Sequence, residues 1–380
     1  MSNTVTNSNA VAQPEQPWIS VLPPIQLPAG YLPPMLTFGV EYEFIYAFEK
    51  RNLDTHFKRA LDHWGNDLKN YLRHRLEYKD QDPSLATESR IQKTSSDIQS
   101  PTPEPDSWYF TNDASLGCIH REVAEAFNIQ VKRVKDSWNF RGIELISPPM
   151  KYDHMSDWIP QIVQVDKVLT GIRDSTTGFY TEAALFNDTT GFHVHMSYPQ
   201  MENKANLMVL KYVAIIWAVC ENGIGLVHPP HRHHSVTQYA RSLRIKFNPY
   251  SHERFAERIY AANSLEALQA LIGFESGYSQ VKFSNGREDK PLTIEFRQHR
   301  GTCNMKEVIY WVKFCAGVVR LAHRYVAVGF DLRDPVALNE LAQTIWLIVG
   351  LQQEEIGFFT RKMEEYADPE WQISLRSPQP

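Results

Sequence analysis

The sequence predicts an α+β fold, and three observations carry that expectation. Stretches with the 3.6-residue hydrophobic period of helices cover about 54–77, 154–172, 204–222, 251–271, 304–328 and 334–349. Short segments with the two-residue period of strands are scattered among them without the regular alternation of a βαβ repeat. No Gly-rich Rossmann or P-loop signature is present, so any bound nucleotide needs another kind of cradle. The 380 residues are 43% hydrophobic and 22% charged, which suits a folded core. The net charge of -5 offers no basic surplus for a nucleic-acid binder, and no nucleic acid is expected as a partner.

Taken in order, residues 1–30 are polar and rich in Pro, Asn and Gln, and read as a disordered tail. They lack the basic-then-apolar order of a secretory signal. Residues 31–367 read as one domain and 368–380 as a second tail. In Leu36–Phe48, Phe38, Val40, Tyr42, Phe44, Tyr46 and Phe48 alternate with Thr37, Gly39, Glu41 and Glu43, which describes a core strand with one polar face. About 80–105 is Pro-, Ser- and Thr-rich and reads as a flexible insertion. The strand pattern returns in 141–149, where Ile143 and Leu145 oppose Gly142 and Glu144, and Pro148 and Pro149 end it. It returns in 190–198, where Phe192, Val194, Met196 and Tyr198 alternate with Gly191, His193, His195 and Ser197. It returns once more in 291–300, where Leu292, Ile294, Phe296 and Gln298 alternate with Thr293, Glu295, Arg297 and His299. The most apolar stretch, Leu207–Cys220, contains Lys211, is too short to span a bilayer and reads as a buried helix. The segment 228–235, with His228, His231, His233 and His234 among prolines, reads as a solvent-exposed loop near a site mouth. The helices from about Asn304 to Tyr366 are expected to cover the outer, apolar side of a sheet. Cys118, Cys220, Cys303 and Cys315 show no CxxC spacing and read as reduced thiols, so a cytoplasmic protein with no membrane partner is expected.

One-sided antiparallel sheets routinely alternate apolar and polar residues, and any one of these strands alone fits a solvated surface. What sets them apart is the content of the polar faces: Glu pairs, a His-x-His and a Glu-x-Arg-x-His, beside glycines. If the strands share one sheet, these groups converge. Crowded carboxylates repel, and divalent cations relieve that repulsion. Carboxylate oxygens with an occasional imidazole suit Mg2+ or Mn2+ better than zinc. Arg297 beside Glu295 offers a donor fork matched to phosphate. Carboxylates, divalent ions and arginine together are equipment for phosphoryl transfer.

Four segments then resemble the amidoligase family, a relative of glutamine synthetase and glutamate–cysteine ligase among the carboxylate–amine ligases. They are Phe38-Gly-Val-Glu-Tyr-Glu-Phe44, Gly142-Ile-Glu-Leu-Ile-Ser-Pro-Pro149, Thr190-Gly-Phe-His-Val-His-Met196 and Thr293-Ile-Glu-Phe-Arg-Gln-His299, in the family's order. The resemblance implies a glutamine synthetase-like catalytic fold, a curved and mainly antiparallel sheet with helices packed on its outer side. It implies an ATP- and Mg2+-dependent ligase that joins a small-molecule or peptide carboxylate to an amine. On this resemblance Glu41, Glu43, Glu144, His193 and Glu295 are metal ligands, and Arg297 faces phosphate and shares in catalysis with Glu43. Trp108–Leu116 resembles the family's Asp-x-Ser turn, placing Asp113 at the amine donor. Tyr239–Arg244 resembles its arginine-bearing segment, placing Arg241 and Arg244 at the nucleotide. His195 and His299 read as supporting groups rather than ligands. A kinase of guanidino or carboxyl substrates and a non-catalytic relative stay open as alternatives, and the sequence leaves substrates and oligomeric state undefined.

Overall fold

The computed structural model describes residues 25–49, 108–170, 172–173, 180–199, 201, 206–233, 240–243, 252–273, 278–284 and 292–368. The helix expected over 54–77, the insertion at 80–105, most of the N-terminal tail and the end of the C-terminal tail lie outside them.

The sheet is organised around one long strand, β1 (Thr37–Glu49). Its aromatic and β-branched residues suit a pleated, half-buried surface. Along one edge it pairs with β3 (Trp138–Ile146) and β4 (Met150–Lys151). Along the other it pairs with β7 (Phe192–Ser197) at its start and β6 (Tyr180–Leu185) at its end. The sheet continues outward through β2 (Tyr109–Asn112) beyond β3, through β9 (Thr293–Phe296) and β8 (Val281–Ser284) beyond β7, and through β5 (Ile172–Arg173) beside β6. Every pairing is antiparallel. Between β3 and β4 the prolines interrupt the ladder as the sequence suggests. Ser147 repairs the gap there: its N–H donates to the Val40 carbonyl (2.9 Å) and its Oγ accepts the Val40 N–H (2.8 Å).

Among the described residues the helices are α1 (His120–Ala126), α2 (Val131–Ser137), α3 (Met155–Thr170), α4 (Leu207–Gly225), α5 (His252–Ala261), α6 (Leu265–Ile272), α7 (Met305–Ala327), α8 (Pro335–Ile348) and α9 (Gln353–Ala367). The apolar face of β1 packs on α3, α4 and α7 in one large core. Phe38 meets Trp158 of α3 edge-on (5.1 Å between centroids), and Trp217 of α4 lies against Phe296 of β9 (4.9 Å) and Trp311 of α7 (6.0 Å). Outside this layer Phe314 of α7 contacts Trp346 of α8, which contacts Phe359 of α9. α4 is the one helix among the described residues long and apolar enough to cross a membrane, longer than the apolar stretch Leu207–Cys220 alone, and most of it is buried in this core. Its Lys211 is satisfied by the Tyr260 carbonyl at 2.7 Å.

The expected helix over 251–271 is two helices, because Ser264 caps α6 by accepting the Ala267 N–H at 3.1 Å. The other face of the sheet is not open along its whole length. Ile45 and Ala47 of β1 pack with Leu116, Val123, Phe127, Val134 and Trp138 in a second, smaller core under α1 and α2. This roof covers one end of the polar face and leaves Glu41 and Glu43 just beyond its edge.

Candidate active site

Residues directly opposite in an antiparallel pair share a face, so the register alone assembles the site. Glu43 of β1 stands opposite Glu144 of β3, which stands opposite Thr111 of β2. Glu41 stands opposite His193 of β7. His195 of β7 stands opposite Glu295 of β9, which stands opposite Lys282 of β8. Ionisable side chains from five strands therefore form one band across the sheet.

His193 is the buried floor of this band. Its Nδ1 lies 3.1 Å from Glu41 Oε2 and 3.9 Å from Glu295 Oε1, while its Nε2 lies 3.5 Å from Glu43 Oε1. His195 Nε2 lies 3.0 Å from Glu41 Oε1, and its Nδ1 lies 3.3 Å from the Thr293 hydroxyl. One ligand atom each from Glu41, His195 and Glu295 falls within 4.8 Å of the others, a spacing that a single cation can bridge. Arg297, just past β9, donates Nη1 to Glu295 Oε1, while its Nε is buried without a partner. Its guanidinium lies 5.8 Å from the centre of the Tyr278 ring. Lys282 adds a second positive charge 3.5 Å from Glu295 Oε2.

The electrostatics show how crowded these acids are. At an effective dielectric of about 20, two like charges 4 Å apart repel by ~4 kcal/mol, several times the net worth of one neutral hydrogen bond. Burial and the neighbouring charges of Glu41 and Glu43 push the Glu144 carboxyl up to about 8, so it keeps a proton that it shares with Glu41. Burial works against the ionised form of Glu41, yet the charges and hydrogen bonds of His195 and His193 together hold it well below the usual range. Glu295 is likewise opposed by burial but drawn down to about 2 by His195, Arg297 and His193. Burial opposes the charged form of His195, and Glu41 outweighs it, raising the imidazole to about 9. Protons and imidazolium thus provide the positive charge that a bound metal would supply.

Glycines set the clearances. A methyl group on Gly191 would come within 2.7 Å of His193 Nε2 and 2.8 Å of Glu43 Oε2. One on Gly142 would meet the Asp113 carbonyl at 2.2 Å, so this glycine lets the Asp113 turn lie directly on β3. In that turn Asp113 Oδ1 accepts from Ser115 N (2.8 Å) and Ser115 Oγ (2.6 Å). The Asp113 charge is felt at Glu144, so the turn closes the β2–β3 end of the band.

The chain matches the family described as “Putative amidoligase enzyme” over residues 34–319. It belongs to that family. The match takes in every strand named above and ends within α7. No curated protein matches the chain. Membership supports ligase activity, the class that the family's description names.

In this amidoligase the structure brings Glu41, Glu43, Glu144, His193, Glu295 and Arg297 together on one face, with Asp113 at its edge. Arg241 approaches through its backbone: its N–H donates to the Tyr278 carbonyl, and its carbonyl accepts the Gln280 N–H (3.0 Å), beside the Gln280 carbonyl that accepts the Arg297 N–H (2.8 Å). Arg244 and His234 lie outside the described residues.

Two expectations are corrected. His299 does not continue the polar face of β9. The strand ends at Phe296, and His299 turns to the apolar side, packing edge-on against Phe192 with its Nε2 3.5 Å from Glu307. The histidine segment is not a solvent-exposed loop in its described part. His228 is buried between His299 and Trp311, Arg232 is buried, and Arg232 donates to the Thr190 carbonyl next to Gly191. The prolines there form a tight 3-10 turn (Pro230–Arg232) that inserts rather than protrudes.

Sequence reasoning treated His195 as a supporting group; in the structure it stands with Glu41 and Glu295, one ligand-type atom from each lying within 4.8 Å of the others. The signal was its two-residue spacing from His193, which fixes both on one face. Tyr109, also unforeseen, stands opposite Ile146, which stands opposite Glu41. Burial, together with the charges of Glu41 and Glu144, raises its hydroxyl pKa.

Proposed function

We propose that this amidoligase is an ATP- and Mg2+-dependent carboxylate–amine ligase on a glutamine synthetase-like catalytic fold. The observation that carries the reading is the band of acids and imidazoles on one partly roofed sheet face, with Arg297 at its end holding an unpartnered buried Nε. A carboxylate resists nucleophiles because of its charge. The reaction activates it by phosphoryl transfer from ATP as an acyl phosphate, which an amine opens to the amide with release of phosphate.

The donor set fits hard divalent ions: four glutamates and two imidazoles, crowded enough that Glu144 and His195 hold on to protons. Glu41, Glu295 and His195 would hold one ion, and Glu43, Glu144 and His193 flank a second position. Bound metal would neutralise phosphate charge and orient the phosphoryl group. Arg297 donates to the transferring group, and Arg241 serves the nucleotide from the neighbouring segment. Gly191 keeps Glu43 and His193 clear of obstruction. Asp113 receives the amine donor at the β2–β3 edge and accepts its proton. A cytoplasmic setting suits the four free thiols.

The test is to incubate the pure protein with ATP, Mg2+ and pooled carboxylates and amines, measuring nucleotide release and product mass together. Amide formation coupled to ATP cleavage, stopped by EDTA and restored by Mg2+ or Mn2+, is the expected outcome. A phosphorylated product without amide would make the protein a kinase. Absence of nucleotide binding would make it a non-catalytic relative.

A further inference from the structure

A second cavity, of about 520 Å³, opens on the helical side of the molecule and contains none of the residues of the candidate active site. Its volume falls in the range of small-ligand pockets, roughly 300–1,000 Å³. One wall is a stripe of α7 at helical spacing: Lys313, Gly317, Arg320 and Arg324. Gly317 brings this stripe close to its neighbour, since a methyl group there would meet the Val349 carbonyl at 2.4 Å. The facing wall comes from the N-terminal segment, with Leu27, Tyr31 and Pro33, and from Tyr152, Asp153 and Met155.

Charge counting across this cavity leaves one cation over. Lys313 Nζ pairs with Glu355 Oε1 at 2.5 Å, and Glu355 also accepts the Gln352 N–H at 2.7 Å. Arg320 Nη2 pairs with Asp153 Oδ1 at 2.6 Å and lies over the Tyr152 ring. Arg324 donates to the Ile348 carbonyl (2.9 Å), a neutral partner, and meets no carboxylate among the described residues. The remaining lining is largely apolar, with Leu27 and Met155 exposed.

From one unmatched positive charge and an apolar remainder, we infer that this cavity binds a small organic monocarboxylate with an apolar body. The carboxylate matches Arg324, and the body lies against Leu27 and Met155. A bound acid would tie the N-terminal segment to α7 and to the turn between α8 and α9.

The experiment titrates the full-length protein with benzoate, with benzyl alcohol as its neutral counterpart and with inorganic phosphate, following saturation-transfer NMR and thermal stability. Benzoate is expected to receive saturation and raise Tm, and benzyl alcohol and phosphate to do neither. Arg324→Gln, which keeps a donor for the Ile348 carbonyl, is expected to weaken benzoate at least tenfold. Met155→Glu, at the exposed first residue of α3, is expected to weaken it similarly by placing a competing carboxylate at the cavity. Arg297→Gln, in the candidate active site, is expected to leave benzoate binding unchanged. Equal binding of benzoate and benzyl alcohol, no binding of benzoate, wild-type affinity in both cavity variants, or loss of affinity in Arg297→Gln would each overturn the assignment.

Discussion

At the scale of single residues, the band of acids makes two opposite demands on Glu43. It contributes to the charge crowding that keeps Glu144 protonated to about pH 8, and it faces His193 Nε2 at 3.5 Å. Glu43→Ala should therefore abolish ATP turnover while leaving the metal-free protein as stable as the parent or more so. Kinetics beside thermal melts in EDTA check this, and a variant that keeps parental turnover removes Glu43 from the mechanism. Arg297→Gln should lower kcat by about 10²–10³-fold, the usual effect of losing one donor to a developing negative charge. A change in KM alone would reduce Arg297 to ground-state binding. Glu41, Glu43, His193 and Glu295 could be picked out in the sequence because period-two alternation is a local property. The involvement of His195 needed the register, since only its pairing with Glu295 shows that it closes a triplet.

At the scale of elements, the Thr190–Gly191 turn decides how Glu43 and His193 are presented. Gly191 accepts the Glu43 N–H (2.9 Å), Thr190 accepts the Gly301 N–H (2.9 Å), and Arg232 reaches Thr190 from behind. Gly191→Ala should depress turnover strongly with a small change in Tm, because the added methyl collides with side chains rather than with the core. Activity assays set against circular-dichroism melts separate the two, and unimpaired turnover would show that the turn has slack. Behind it, Arg300 donates Nε and Nη2 to Glu307 (3.2 and 3.1 Å) in the first turn of α7. The long helices α3, α4, α7 and α8 are legible because their stripes run for several turns. α1 and α2, seven residues each, carry too little periodicity to be read, and the roof that they build over Ile45 and Ala47 is a tertiary fact. The reversal at His299 is equally illegible, because the chain leaves the ladder at Phe296 while the alternation in the sequence runs on to His299.

At the scale of the whole molecule, several histidines are held neutral in buried or half-buried positions. Burial drives His299 and His323 down to about 4 and His231 to about 3, and holds His228 well below its ordinary value. Each contributes stability that is complete above the unfolded value near 6.5 and is lost as pH falls through the folded one. Glu144, raised by burial and its acidic neighbours, contributes in the opposite sense between about 4.5 and 8. Asp166, raised by burial, also contributes in that sense, but these are two groups against four. Glu307, held near 2 against burial by Arg300 and Lys362, adds a further loss below about 4.5. The Tm of the metal-free protein should therefore fall between pH 6.5 and 4, and scanning calorimetry checks it. A flat profile would mean that these imidazoles are charged in the native state.

β1 is hydrogen-bonded to β3, β4, β6 and β7, and it carries both Glu41 and Glu43. No opening of an outer strand or helix frees its central amides. Deuterium should thus enter at Val40, Tyr42 and Phe44 only when the entire molecule comes apart. The chemistry rests on the last piece of the protein to melt, so heat should extinguish catalysis in a single step, without an earlier stage in which a folded protein has already gone silent.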